Sequence, residues 1–303
     1  MLASKHLVNF KNMKKILVIL LFIPIINFGQ TLKGIVKDSI SSEILQLANI
    51  TFLKSNNGTN SNLEGKYFLN IKEHSEDSIK VSYIGYKPKY LSLKSFSDDK
   101  EYILNFNLIR DENQLEEVIV SQKRIKYNKQ YQLSEKRDGD IAMFSLIGHE
   151  TTCLIENPKN ELGRIKSLKL YIRKNKNANF IAKFRIKIYS YNKIENKPEE
   201  NLLAEDLIIS PKNKTYQYII DLEDKKIPFL EDGICIGIEL VDENNTSKKG
   251  DKIGPGFRFT YGENKQLTWY NYRNKGWAKN DLYNRKSNAM SNLMVNMTVL
   301  MKN

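Results

Sequence analysis

Four stretches in the second half of this 303-residue chain place an apolar side chain at every second position without a slip. They are Phe184, Ile186, Ile188; Tyr216, Tyr218, Ile220, Leu222; Ile234, Ile236, Ile238, Leu240; and Leu293, Val295, Met297, Val299. A period of two puts those side chains on one face of an extended strand and the intervening residues on the other. No helical period of useful length follows the first 29 residues, so the chain has to bury its apolar surface by packing sheet on sheet. Further strands are expected over residues 141–146, 151–155, 165–172, 181–189, 257–261 and 267–270. So many antiparallel strands predict a jelly-roll-like β-sandwich over residues 139–303. Lys183, Arg185 and Lys187 alternate with apolar residues and read as a solvated sheet face.

The first third has shorter alternating runs, Gly34-Ile35-Val36-Lys37-Asp38, Asn49-Ile50-Thr51-Phe52-Leu53, Tyr67-Phe68-Leu69-Asn70-Ile71 and Ile79-Lys80-Val81-Ser82-Tyr83, each bounded by turn residues. They predict a compact antiparallel sandwich, closed by Lys89-Tyr90-Leu91-Ser92-Leu93 and by a strand with Tyr102, Leu104, Phe106 and Leu108 on one face. Gly34-x-Val36-x-Asp38, the Ala48-Asn49-Ile50 step, Gly58-Thr59 followed by Glu64-Gly65-Lys66-Tyr67-Phe68-Leu69, and Val81-Ser82-Tyr83-Ile84-Gly85-Tyr86 together resemble the carboxypeptidase-like regulatory domain. One departure is that Asn62 or Glu64 stands where the family often has an aspartate. The resemblance implies a seven-stranded transthyretin-like sandwich over residues 30–110 without catalytic residues of its own. It also implies company: such domains stand beside metallocarboxypeptidases and at the front of SusC-type TonB-dependent receptors of Bacteroidota. In the second half, Phe184 to Tyr189, Pro198 to Leu203 and Cys235-Ile236-Gly237-Ile238-Glu239 resemble jelly-roll modules that accompany these domains, which implies no activity.

Lys14-Lys15, the apolar run from Ile16 to Ile26 and Asn27-Phe28-Gly29 form a secretory signal peptide over residues 1–29. The expected address is the periplasm, the outer membrane or the cell surface. Removing Lys5, Lys11, Lys14 and Lys15 with the leader takes the formal net charge from +13 to +9. The remaining lysines are scattered singly and no dense basic run alternates with aromatics, which disfavours nucleic acid as a partner. Cys153 and Cys235 both lie inside apolar strand patterns, where a disulfide between neighbouring strands and two buried free thiols are both natural.

Residues 111–138 are polar and read as a linker carrying one apolar segment. In that segment Leu115, Glu117, Val118, Ile119 and Val120 resemble a TonB box that pairs as an added strand; the competing reading is the end of the first sandwich. Chemistry is sparse. No metal site is expected, because His149-Glu150 is a lone pair and the histidines are too few for a zinc peptidase. No catalytic nucleophile has a positioned base, no cofactor motif occurs, and Glu199-Glu200 and Glu205-Asp206 read as solvated acids rather than glycosidase carboxylates. The loop from Asp242 to Asp251 lacks the ligand spacing of a calcium site. Trp269, Tyr270, Tyr272, Arg273 and Trp277 gather flat aromatic faces beside polar donors, which suits a sugar or peptide ligand. Core packing of the two tryptophans is the competing arrangement. The expected function is a non-enzymatic exported envelope protein that binds a glycan or protein partner. An accessory of a TonB-linked uptake system and an unrecognised hydrolase are the alternatives.

Overall fold

The computed structural model describes residues 30–302 apart from positions 56, 97–99, 112–126, 135–140, 143–145, 204, 249, 261–264, 274, 280–282 and 285–288. The signal peptide and the segment with Leu115, Glu117, Val118, Ile119 and Val120 lie outside the described residues.

The first unit contains β1 (Thr31–Asp38), β2 (Asn49–Phe52), β3 (Gly58–Asn60), β4 (Lys66–Asn70), β5 (Ser78–Ser82), β6 (Lys89–Ser92), β7 (Glu101–Ile103) and β8 (Phe106–Leu108). One sheet runs β4-β1-β7 with β8 also on β1, and the other runs β3-β2-β5-β6. β7 and β8 both pair in parallel with β1, at Thr31 to Lys33 and at Val36 to Asp38. They are two halves of one strand, so the unit is a seven-stranded sandwich. The break at Leu104-Asn105 presses on Gly34, where a Cβ would lie 1.8 Å from the Leu104 carbonyl oxygen. The backbone is satisfied around the break, because Leu104 N–H donates to Lys33 O and Ile35 N–H donates to Asn105 Oδ1. Leu32, Val36, Ile50, Phe52, Ile79, Val81 and Phe106 fill the core. Asp38 ends β1 by accepting from Ile40 N–H, Ser41 N–H, the Tyr86 hydroxyl and Arg110 Nε. Arg110, then Tyr86, holds its carboxyl well below the usual carboxylate range.

The second unit contains β9 (Tyr127–Ser134), β10 (Ile141–Ala142), β11 (His149–Ile155), β12 (Gly163–Arg173), β13 (Phe180–Ile181), β14 (Lys183–Asn192), β15 (Lys197–Asn201), β16 (Leu207–Ile209) and β17 (Tyr216–Asp221). It continues with β18 (Pro228–Phe229), β19 (Ile234–Val241), β20 (Ile253–Gly254), β21 (Gly256–Arg258), β22 (Thr268–Tyr272), β23 (Ala278–Lys279), β24 (Tyr283–Asn284), β25 (Ala289–Met290) and β26 (Val295–Lys302). Two seven-stranded sheets face each other. One runs β10-β21-β12-β26-β9 with β17 and β18 on β12; the other runs β15-β14-β19-β11-β22-β23 with β16 on β14. Between them lie predicted alternating side chains, among them Phe184, Ile186 and Ile188 of β14 and Ile234, Ile236 and Ile238 of β19, together with Leu168, Leu170 and Ile172 of β12. Phe184 and Phe257 meet edge to face across the core at 4.8 Å.

Two expectations are corrected. Tyr127–Ser134 lies within the stretch expected as linker, yet it is an edge strand paired antiparallel with β26. Its inward Tyr131 and Leu133 pack on the core, and an edge strand needs no more than such a half-buried pair. Arg185 and Lys187, expected in solvent, are each 2 % exposed. The outer face of β14 is covered by the first sandwich: Arg185 Nη2 donates to Leu47 O at 2.8 Å and Asn49 Nδ2 to Glu239 Oε1 at 3.4 Å. The β3-β2-β5-β6 sheet therefore lies on the outer face of the β14-β19-β11-β22 sheet, and this third layer contact is polar.

Candidate functional site

Antiparallel neighbours directly opposite one another share a face of a sheet. Register therefore decides what stands on the outer face of the second sandwich. Glu150 of β11 opposes Glu239 of β19, which opposes Arg185 of β14; Thr152 opposes Gly237, which opposes Lys187. Two acids and two bases thus occupy one small area. Arg185 Nη1 donates to Glu239 Oε2 at 2.9 Å and its Nε pairs with Asp206 Oδ1 at 3.0 Å. Lys187 Nζ bridges Glu150 Oε2 at 2.9 Å and Glu239 Oε2 at 3.1 Å. Gly237 makes room for this cluster, since a Cβ there would stand 2.4 Å from Glu150 Oε1.

Burial opposes the charges of Glu239 and Lys187, and proximity wins. It pushes the Glu239 carboxyl up, but Lys187 and Arg185 outweigh that and hold it at about 2. It pushes the Lys187 ammonium down, but Glu150 and Glu239 outweigh that and raise it. Both groups are therefore fully charged at neutral pH.

Arg273 closes one end of the interface. Its Nη1 donates to Thr59 O at 2.7 Å and to Asn60 Oδ1 at 2.5 Å, and its Nε to the Tyr272 hydroxyl at 3.1 Å. The residue sits at φ 46°, at the end of β22, which turns the guanidinium toward the first sandwich. Gly148, at φ +83°, gives it space, because a Cβ would stand 2.6 Å from the Arg273 side chain. From the loop after β19, Asn245 Nδ2 donates to Asn60 O at 2.7 Å. The Asp242 carboxylate of that loop accepts from Asn244 N–H and Ser247 N–H. It organises a docking loop.

Beside this clamp opens a cleft of about 700 Å³ with walls from both sandwiches. Ser55, Asn57, Thr59, Glu73 and His74 form one wall; Asn245, Ser247, Lys248 and Tyr272 form the other, with Leu146, Ile147 and Ile253 adding apolar surface. On the β14-β15 side of the ion cluster lies a pocket of about 250 Å³ lined by Lys80, Tyr83, Tyr86, Tyr189, Glu200 and Asn201 among others. Asn201 opposes Tyr189 across β14 and β15, so it stands on the outer face. Its Oδ1 accepts from Leu203 N–H, but its Nδ2 is buried and finds no partner among the described residues. A buried donor left unpaired costs about 1–3 kcal/mol.

The period of two divides the aromatic segment read from the sequence. Trp269 is 1 % exposed on the outer face, where it packs with Leu154, Tyr189 and Cys235, and its Nε1 donates to Asn196 O. Of the two arrangements read for it from the sequence, Trp269 takes the packed one and is not an open stacking face. Trp277 is half-buried against Tyr189, edge to face at 5.2 Å. Tyr270 turns to the opposite side beside His149, at 5.0 Å between rings. Tyr272 and Arg273 alone of the five line the large cleft. Of the two arrangements open for the cysteines, the structure has free thiols: Cys153 opposes Ile236 while Cys235 opposes Leu154, so the two thiols point to opposite faces. Sequence reading missed Glu239, Lys187 and Asn201. The one signal for the cluster was Gly237, a lone glycine inside an apolar strand, which marks a close approach.

Residues 32–120 match the family of CarboxypepD_reg-like domains, so the first sandwich is a CarboxypepD_reg-like domain. The match covers under a third of the chain and runs through Leu115–Val120. No curated protein matches. Among solved structures, the clostridial cysteine protease Cwp84 after propeptide cleavage is similar at 10% identity and TM-score 0.38, over 76% of this chain and 53% of that one. A putative carbohydrate binding protein from Bacteroides uniformis is similar at 12% identity and TM-score 0.22, over 75% of this chain and 94% of that one. The infectious bursal disease virus VP2 subviral particle is similar at 10% identity and TM-score 0.26, over 90% of this chain and 60% of that one. The chain thus spans about half the length of the protease it matches. Likenesses at this level bear on neither activity nor ligand.

Proposed function

We propose that the chain is an exported, non-enzymatic protein of the cell envelope, and that the cleft between its two sandwiches binds a glycan or a segment of a partner protein. The observation that carries this reading is the cleft itself, with neutral hydrogen-bonding side chains from both sandwiches, charged Glu73, Lys248 and Arg273, one aromatic wall and apolar patches. Its volume lies within the roughly 300–1,000 Å³ usual for ligand sites, which favour domain boundaries. The ion cluster and Arg273 hold the two walls together, so a ligand meets a preformed cleft and loses little affinity to ordering it. Export rests on Lys14-Lys15 and the apolar run after them. The non-enzymatic reading is supported by Glu239 and Lys187 being held in their charged forms, the opposite of a general acid or base poised near neutral pH.

The test uses mature protein from Gln30 onward, screened against immobilised envelope and plant glycans and against envelope proteins. Tyr272→Ala is expected to weaken the binding found by about tenfold or more, the loss of about 1.4 kcal/mol of contact, in protein that circular dichroism shows to be folded. Tyr272→Ala and Asn57→Ala both binding like wild type would remove the cleft from the function.

A further inference from the structure

Lysines that lie far apart along the sequence come together at one end of the second sandwich. The turn after β12 begins Lys174-Asn175-Lys176, and the turn before β17 contains Lys212-Asn213-Lys214. Asn213 spans the gap between them: its Oδ1 accepts from Asn175 N–H at 2.9 Å and its Nδ2 donates to Asn175 O at 3.0 Å. Asn175 Nδ2 donates to Ile253 O and Lys252 N–H to Asn179 Oδ1, both at 2.7 Å, which ties in the segment that leads into β20. The asparagines hold this clasp together, and Lys174, Lys176, Lys212, Lys214 and Lys252 stand exposed on it. Across residues 173–179, 212–216 and 251–254 there are six bases and one acid, Asp251. The Asp251 carboxylate accepts from Asn179 Nδ2 and Lys248 N–H, and among the described residues none of the six bases has a carboxylate partner. Elsewhere on this sandwich lysines pair off: Lys183 with Glu243, Lys193 with Asp232, Lys225 with Glu205 and Lys265 with Glu156. Holding like charges together without a counter-charge opposes folding and raises the local positive potential, and the clasp does so all the same.

We propose that this corner docks on an anionic phospholipid bilayer. Five of the six bases are lysines, compact point charges on flexible stems. They suit a field of headgroup phosphates better than the two-pronged grip that arginine gives a single anion. Ile181 of β13 stands 54 % exposed beside them: it opposes Gly254 across β13 and β20, and Gly254 packs against Ala178 and Asn213 of the clasp. An exposed aliphatic side chain among cations is idle against a soluble polyanion, whereas a bilayer takes it in at the boundary of headgroups and acyl chains. Each lysine brought up to an anionic surface strengthens binding about fivefold, and the attraction fades within about 8 Å at physiological salt. The site stands on its own geometry and goes beyond the cleft reading, since none of its six bases lines the cleft.

The experiment sediments mature protein with vesicles of phosphatidylcholine alone and of phosphatidylcholine mixed with phosphatidylglycerol. The mixed vesicles are expected to carry the protein down and the neutral ones to leave it in solution. Raising sodium chloride from about 0.1 M to about 1 M should release it. Lys174→Ser, Lys176→Ser, Lys212→Ser and Lys214→Ser combined are expected to weaken the binding about a hundredfold or more. Ile181→Ser alone should weaken it about threefold or more. Lys193→Ser, Lys197→Ser, Lys225→Ser and Lys265→Ser combined remove the same charge from outside the clasp and are expected to leave binding in place. Circular dichroism checks that each variant is folded. Protein that stays in solution with the mixed vesicles overturns the proposal, as does wild-type binding in the clasp variant. Equal weakening in the two fourfold variants also overturns it, because net charge and not this corner would then carry the attraction. Capture on immobilised dextran sulfate with vesicles left unbound overturns it in favour of an acidic polymer. Tyr272→Ala, which strips the aromatic wall of the cleft, should sediment like wild type, so failure here and failure of the cleft reading are told apart.

Discussion

At the residue scale the buried cluster decides how stability responds to charge. Lys187 neutralises two carboxylates that are each 1 % exposed, and removing one partner of a buried pair strands the other in a low dielectric. Lys187→Met is therefore expected to cost about 3–5 kcal/mol in urea unfolding. Lys187→Met combined with Glu150→Leu should recover much of that, because a pair replaced by apolar groups is often neutral. A double variant as unstable as the single one would contradict this account. The pH dependence has a definite sign. Glu239 is held at about 2 against an ordinary value of 4.5, so its stabilisation is complete above about pH 5 and is lost as pH falls through 4.5 toward 2. Glu239→Gln should flatten acid unfolding in that window and leave the slope between pH 6 and 8 alone. None of this was legible at Lys183, Arg185 and Lys187, where alternation reported an outer face correctly but not what covers it. Glu150 and Glu239 come from 37 and 54 positions away, and the covering Leu47 from 138.

At the element scale, strand register separates what composition leaves together. Cys153 and Cys235 sit on adjacent strands, yet a pairing of Cys153 with Ile236 puts a sheet between the thiols. Alkylation of unreduced, denatured protein should add two labels, and prior reduction should change nothing in the mass. The native protein at pH 8 should label slowly, since burial pushes the Cys235 thiol well above its ordinary range. A mass two protons lighter before reduction would reinstate the disulfide. The same alternation explains which elements could be read beforehand. β14, β19 and β26 have one apolar face and were plain; β9 is an edge strand whose inward residues are only Tyr131 and Leu133 amid Lys, Gln and Asn, so its polarity resembled a linker. The aromatic segment fell to the same rule, because side chains one position apart on β22 cannot share a platform.

At the scale of the whole molecule, two sandwiches that each bury an apolar core are joined through a polar layer. Such a layer holds its geometry tightly and depends on every member being paired. Arg273 is one of its clamps, and its loss leaves Thr59 O and Asn60 Oδ1 without this donor on the side of the cleft. With the interface intact, the two cores are expected to unfold in one calorimetric transition, because exposing either breaks the hydrogen bonds that Arg185, Glu239 and Arg273 make to Leu47, Asn49 and Thr59 across it. Arg273→Met, and more strongly Arg273→Met with Arg185→Met, should split that transition into two, the first sandwich melting apart from the second. The same variants should weaken whatever the cleft binds, since its walls come from both partners in the interface. Two resolved transitions in the wild type, or one unsplit transition in the double variant, would mean that the sandwiches are coupled by something other than this layer.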